Sequence, residues 1–244
     1  FYRIKTVKDG LNNTTTYNYD EVGNLTSTVD QNGHATTYTY DPNVNVLLSE
    51  TDPLNKTTSY TYYKNGKLKT KTDANGNTIN YAYDLSGKLY SISYPTSNSV
   101  VYAYNRYGKI SSMTDYHGAT TYAYNTRTWL SSVDGPEAND TISYSYDYAG
   151  NRTAMTTPAG AFSYAYYNNN LPYTLTNPQS QPTTFYYDTA NRLTRMAYYN
   201  FTSTEWSYYA NDRVNNLTLK DGSQAILSSY HYVYSSLGKI TTIT

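Results

Sequence analysis

An aspartate directly follows a tyrosine again and again along this chain, at Asp20, Asp41, Asp84, Asp147 and Asp188. Carboxylates at fixed spacing are raw material for metal binding or acid–base chemistry. Four of the five open a short segment containing Gly or Asn three residues on, where a carboxylate accepts hydrogen bonds from turn amides, so the structural reading is the stronger one. Asp73-Ala74-Asn75-Gly76-Asn77 has the oxygen donors of a calcium loop, but its glycine stands at the fourth place instead of the sixth, out of EF-hand order. His34, His117 and His231 lie far apart, and a repeat offers no convergence into a triad or zinc site. There is no Gly-x-Ser-x-Gly, phosphate loop or His-Glu-x-x-His. Absence of cysteine removes the thiol nucleophile, the disulfide framework and Cys-ligated zinc. The expectation is a non-enzyme with no cofactor or metal.

Charge and hydropathy narrow the field further. Eighteen basic residues balance 18 acidic ones, and no basic stripe of the kind an electrostatic nucleic-acid binder needs is visible along the sequence. No apolar run approaches the roughly 18 residues of a membrane span, so neither nucleic acid nor membrane insertion is expected. Leu, Ile, Val and Phe together make less than a fifth of the chain, a level of about 20% that ordinarily signals disorder. Zero net charge and 16% aromatics argue the opposite. The 34 tyrosines must therefore supply much of the packing, and a ring with one wet end suits a thin structure with two accessible faces.

The elements that position these residues are set by a repeat. Tyr-x-Tyr occurs at Tyr17/Tyr19, Tyr38/Tyr40, Tyr60/Tyr62, Tyr81/Tyr83, Tyr102/Tyr104, Tyr122/Tyr124, Tyr144/Tyr146 and Tyr164/Tyr166, then in altered form at Phe185/Tyr187 and Tyr232/Tyr234. As far as Tyr187, successive pairs are 20 to 22 residues apart. Within one unit, turn signals at 20–24 and 30–33 separate β-branched segments, and Asn-Gly and Gly-Asn pairs accept the positive φ of hairpin turns. Each unit reads as a β-hairpin. Strict alternation puts Tyr17 and Tyr19 on one face, and in the return strand sets Leu25, Ser27 and Val29 against Thr26 and Thr28. Small spacers such as Ala82, Ala103 and Ser145 suggest that equivalent tyrosines stack as ladders. Asn168-Asn169-Asn170, three prolines (Pro172, Pro178 and Pro182) and a longer turn at Ala210-Asn211-Asp212-Arg213 suggest irregular hairpins toward the C-terminus. The fold expected is all-β: an array of antiparallel hairpins of about 21 residues in a continuous, curved or spiralling sheet. It would span residues 1–244 without an internal domain boundary, beginning and ending in mid-repeat as an internal fragment of a larger chain.

The segment Tyr19-Asp20-Glu21-Val22-Gly23-Asn24-Leu25 resembles the signature of the YD-repeat (Rhs-type) family. The signature continues at Tyr40 and Asp41, at Tyr83, Asp84, Gly87 and Leu89, at Tyr146, Asp147 and Gly150, and at Tyr187 and Asp188. The family includes bacterial Rhs and wall-associated polymorphic toxins, cocoon subunits of Tc toxins, and teneurins. The resemblance implies a sheet spiralling into a hollow shell, which in the toxins encloses a C-terminal effector. For this chain it implies a non-catalytic section of such a shell, in a secreted or cell-surface protein, whose partner is the remainder of its own chain. The toxins' Asp-Pro-x-Gly motif before the effector is matched by neither Asp41-Pro42-Asn43-Val44 nor Asp52-Pro53-Leu54-Asn55. Two other readings stay open. One is an adhesive or carbohydrate-binding module presenting Tyr81, Tyr83, Tyr102, Tyr104, Tyr122 and Tyr124 to surface glycans. The other is an extracellular fibre, with self-association through open sheet edges.

Overall fold

The computed structural model describes residues 3–96 and 98–244. These residues form 23 strands, and none of them is helical. The chain divides into two units, 1–119 and 120–244. Each unit is an antiparallel meander in which consecutive strands pair, so all-β hairpin architecture is the observed fold. A hairpin joins an aromatic strand such as Thr14–Tyr19 to a return strand such as Leu25–Val29. A first turn links them, and a second turn leads on to the next aromatic strand, Ala35–Tyr40. First turns therefore gather along one edge of each meander and second turns along the other.

Most turns of both kinds share one design. The N–H of Gly23 donates to the carbonyl of Asp20 at 3.1 Å, and the N–H of Asp20 donates to the carbonyl of Asn24 at 3.0 Å. This closes a type I turn followed by a left-handed residue. Gly23 has φ +100°, yet the equivalent place holds Thr128 (φ 62°), Asn170 (φ 64°) and Asp212 (φ 66°). The three-asparagine segment is thus an ordinary turn with Asn170 in the strained position. The turn at 209–213 is not longer either, since the Tyr209 N–H reaches the carbonyl of Arg213 as in the other turns. The enlarged first turn is at Asp41, whose N–H bonds Val46, one residue further on. The prolines also leave the ladder regular. Pro172 and Pro182 each begin a strand, and Pro178 follows the turn-opening Asn177, places where the missing N–H and fixed φ are tolerated.

The return strand departs from strict alternation. Tyr17 opposes Thr28 and Asn18 opposes Ser27, but Tyr19 opposes Leu25, so Thr26 is an inserted bulge residue. The same shift recurs in every resolved hairpin, for example between Ala82 and Tyr83 and between Ala165 and Tyr166. Paired residues share a face, so Leu25 and Thr28 lie with the tyrosines while Val29, opposite Thr16, lies on the other side. Equivalent tyrosines are also not neighbours. A return strand stands between Tyr17 and Tyr38, and Tyr17's row runs through Thr28 to Thr36, so the two tyrosines are two strand spacings, about 9.6 Å, apart across the sheet and two residues out of line along it.

The two faces differ in bulk. One carries the tyrosines with Leu25, Ile92, Met113, Val133 and Phe162. The other carries small side chains, among them Thr39, Ser49, Ala103, Ser112, Ala123 and Ser132. Among the described residues no hydrophobic side chain is fully buried, and Ser203, at 2% exposure, is the only polar one that is. Packing is lateral, between neighbouring strands of a single layer.

Candidate functional site

Pairing between consecutive hairpins covers only half of their length. The return strand Leu25–Val29 pairs with the next strand at Ser27–Thr37, Thr28–Thr36 and Val29–Ala35, and not beyond. Toward the first turns the hairpins separate, and the carbonyl of Leu25 has no ladder partner there. The Tyr40 hydroxyl supplies one, donating to that carbonyl at 3.1 Å. The same clasp joins Tyr62 to Leu47 (2.8 Å), Tyr104 to Leu89 (2.7 Å), Tyr146 to Leu130 (2.8 Å), Tyr166 to Arg152 (2.9 Å) and Tyr208 to Leu193 (2.6 Å). A buried or half-buried carbonyl must be satisfied, which is why the second aromatic of each pair is a tyrosine. Where the following aspartate is itself replaced by tyrosine, the hydroxyl reaches forward: Tyr63 to the carbonyl of Tyr81 and Tyr167 to that of Phe185, each at 3.0 Å.

In several hairpins the residue closing the first turn covers the second tyrosine ring of the next hairpin. Lys67 lies 4.9 Å from the Tyr83 centroid, Lys88 5.1 Å from Tyr104, Arg192 4.7 Å from Tyr208 and Arg213 5.4 Å from Tyr234. Trp129 does the same by ring contact with Tyr146 at 5.4 Å. Such contacts add about 0.5–1 kcal/mol at exposed sites.

The aspartates hold turns. Asp147 Oδ1 accepts the N–H groups of Ala149 and Asn151, and Oδ2 accepts the Asn151 amide, each at 2.9 Å. The Asn151 side-chain bond, opposed by partial burial and joined by the turn N–H groups, keeps this carboxyl below the usual aspartate value. Asp73 is engaged in the same way by Asn75 and Asn77, so the segment resembling a calcium loop is a hairpin turn. Asp20 bonds Gly23 and Asn24, Asp84 bonds Ser86 and Lys88, and Asp188 bonds Ala190 and Arg192. Asp41 bonds Asn43 and Val44. Gly87 and Gly150 take the left-handed place of their turns. Burial raises the pKa values of Tyr40, Tyr62, Tyr104, Tyr187 and Tyr208 above the ordinary tyrosine value.

The histidines do not converge. His34 Nδ1 lies 3.1 Å from Asp30 Oδ2 in its own turn, His117 stacks on Tyr116 at 3.7 Å, and His231 Nδ1 lies 3.0 Å from Asn216 Oδ1. Tyr81, Tyr83, Tyr102, Tyr104, Tyr122 and Tyr124 are all half-buried on the bulky face. The most open rings lie elsewhere: Tyr148 (91% exposed), Tyr116 (71%) and Tyr107 (57%) at turns. Two of these border concave sites. In the first unit a groove of about 560 Å³ runs beside three second turns, with Ile79 and Val100 on its floor and Tyr94 and Tyr116 at its sides. In the second unit Arg127 lies 5.3 Å from Trp129 and 4.6 Å from Tyr148 in a notch of about 400 Å³. Sequence periodicity missed these because turn tips vary from unit to unit.

A family model, RHS Repeat, matches residues 19–47, 62–99 and 129–161. No curated protein matches the chain. Among solved structures, those described as TcdB2-TccC3-Cdc42, as TcdB2-TccC3, and as TcdB2-TccC3 without its hypervariable C-terminal region are similar in fold. Each aligns with a TM-score of 0.77 at 18% identity, covering 95% of this chain and 14% of that one. The chain thus spans about one seventh of the length of the solved structures it resembles.

Proposed function

We propose that the chain, three segments of which match the RHS Repeat model, is a non-catalytic YD-repeat section of a shell wall, in a secreted or surface protein that encloses or displays a toxin or effector. The observation that carries this reading is the single layer with both faces uncovered: no hydrophobic side chain among the described residues is fully buried. Such a sheet holds its shape by lateral clasps, and either face is free to border a lumen. The fold shared with the TcdB2-TccC3 structures supports it. On this reading the chain is one stretch, residues 1–244, of a longer array, and its main partner is the rest of its own polypeptide.

Limited proteolysis of the full-length protein tests this. The part of the parent chain outside the repeats should survive under native conditions and be digested once the wall is opened by denaturant. Rapid digestion while the repeats stay intact would remove the enclosure reading. A second reading, glycan binding, is favoured by the groove between Tyr94 and Tyr116, since open aromatic rings over an apolar floor suit sugar faces. Glycan-array binding lost on Tyr94→Ala with Tyr116→Ala would support it, and binding that persists would exclude that groove.

A further inference from the structure

The zero net charge of the chain conceals a separation of charge between its two turn edges. In the first unit, three consecutive first turns, at 63–67, 84–88 and 105–109, carry Lys64, Lys67, Lys88, Arg106 and Lys109 against one acid, Asp84. Lys64, Arg106 and Lys109 are exposed. Consecutive hairpins are about 9.6 Å apart, so these cations form a basic border two hairpin spacings long. In the second unit, the second turns, at 134–141, 157–160, 177–181, 198–202 and 221–225, carry Asp134, Glu137, Asp140 and Asp221 and no cation. Asp134 and Glu137 are exposed. First and second turns leave a meander on opposite edges, so the positive and negative borders belong to different kinds of edge.

We propose that the basic first-turn edge docks against the acidic second-turn edge of another run of the same repeats, which for the isolated chain means a second copy. The argument is charge complementarity between two surfaces of this one chain. The exposed acids, Asp134 and Glu137, share one turn, 134–141, with Asp140, so docking seats that turn among the cations of the 63–67, 84–88 and 105–109 turns and opposes several charges at one place. The contact is heterologous, first-turn edge to second-turn edge, and such contacts propagate rather than close unless a rotation closes them. It differs from strand addition at open sheet ends, which uses backbone hydrogen bonds and not turn side chains. It deepens the wall reading, because edge-to-edge docking is what would seal neighbouring strips of a wall, but it does not need an enclosed effector to be correct.

The test is sedimentation velocity of the 244-residue chain at low and high salt, with the strand signal in circular dichroism recorded for each variant. Concentration-dependent association at 20 mM NaCl should weaken at least tenfold at 500 mM, because exposed charges are screened. Lys64→Glu with Arg106→Glu should abolish it, as should Asp134→Lys with Glu137→Lys. A mixture of the two reversed variants should associate again, which misfolding or loss of stability would not produce. A monomer at every salt concentration overturns the proposal. So does association that survives both charge reversals, which would point to strand addition. Capture of polyphosphate by the wild type without any self-association overturns it as well, because the basic edge would then serve a foreign polyanion.

Discussion

The bulky face contrasts between the first hairpins of unit one and the hairpins of unit two. In the former, the places between the first tyrosines of successive pairs hold Thr28 and Thr36, then Glu50 and Thr58, then Lys71 and Ile79. In the latter they hold Val133 and Ile142, Met155 and Phe162, then Leu175 and Thr183. The clasp and the turn are the same in both. Hairpin geometry is therefore imposed by the tyrosine hydroxyl, the bulge and the Asx turn, and the filler residues tune stability on top of it. A polar row is tolerated because the face is half open and its hydroxyls stay solvated.

The largest expected effect would break this contrast if it failed. Phe162→Ala should destabilise the second unit by about 1.5–3 kcal/mol, below the range for a fully buried phenylalanine because the ring is half-buried. Thr36→Ala in the first unit should cost under about 0.5 kcal/mol. Urea titration followed by hydrogen exchange in each unit measures both. Equal losses would mean that the polar row contributes as much as the apolar one.

Next in size is the clasp, which should not distinguish the regions. Tyr40→Phe and Tyr166→Phe each leave a strand carbonyl, of Leu25 and Arg152, without its donor. The expected cost is about 0.5–1.5 kcal/mol in either unit, limited by water that can enter a half-open site. A negligible cost in one unit only would show that its hairpins are held by filler packing and not by the hydroxyl.

Acid should separate the regions again. Hydrogen bonds from turn groups hold Asp9, Asp73 and Asp84 in the first unit below the ordinary aspartate value, and Asp20 and Asp30 likewise despite partial burial. In the second unit the same is true of Asp147, Asp188 and Asp221. A lowered pKa in the folded state means stability that is fully present above the unfolded value and lost as pH falls through the folded one. Both units should therefore weaken below about pH 4, and the first hairpins of unit one, with the polar filler row, should open at the higher pH. Asp73→Asn keeps the accepting oxygen and should flatten that part of the profile. For the tyrosines the sign reverses: pKa values raised by burial give stability that is present below about pH 10 and lost above it.

Much of this was legible in the residues. The 20 to 22-residue period, the paired tyrosines and the turn signals fixed the hairpins because each rests on local backbone preference. The bulge was not legible, since its place is filled by Thr26, Leu48, Lys69 or Tyr90 with no shared chemistry. That one unmarked residue moves Val29 to the opposite face and Thr28 to the tyrosine face. The tyrosine ladder was expected from spacing along the chain, but its members are separated by a return strand, which only the register shows. The clasp and the ring cover join residues about 15 apart across two hairpins. A signal for the cover was present: a cation closes the first turn at Lys67, Lys88, Arg192 and Arg213.

The smallest expected effect sharpens the comparison at these covering cations. Lys88 touches Tyr104 as a flexible ammonium, while Arg192 covers Tyr208, bonds Asp188 in its own turn at 2.7 Å and reaches Asp212 in the next at 2.8 Å. Lys88→Met keeps the aliphatic stem over the ring and removes only the charge, so it should cost about 0.5 kcal/mol. Arg192→Met should cost more, because two turns lose a shared donor. Salt tells the two roles apart. The Asp212 partner is 75% exposed, so part of the Arg192 effect should fade at 1 M NaCl, where the screening length is about 3 Å. The ring contact of Lys88 should persist, because it is made at close range against a half-buried face. If both variants lose the same stability and respond alike to salt, the guanidinium is only a ring cover, and the second unit owes its extra stability to its apolar row alone.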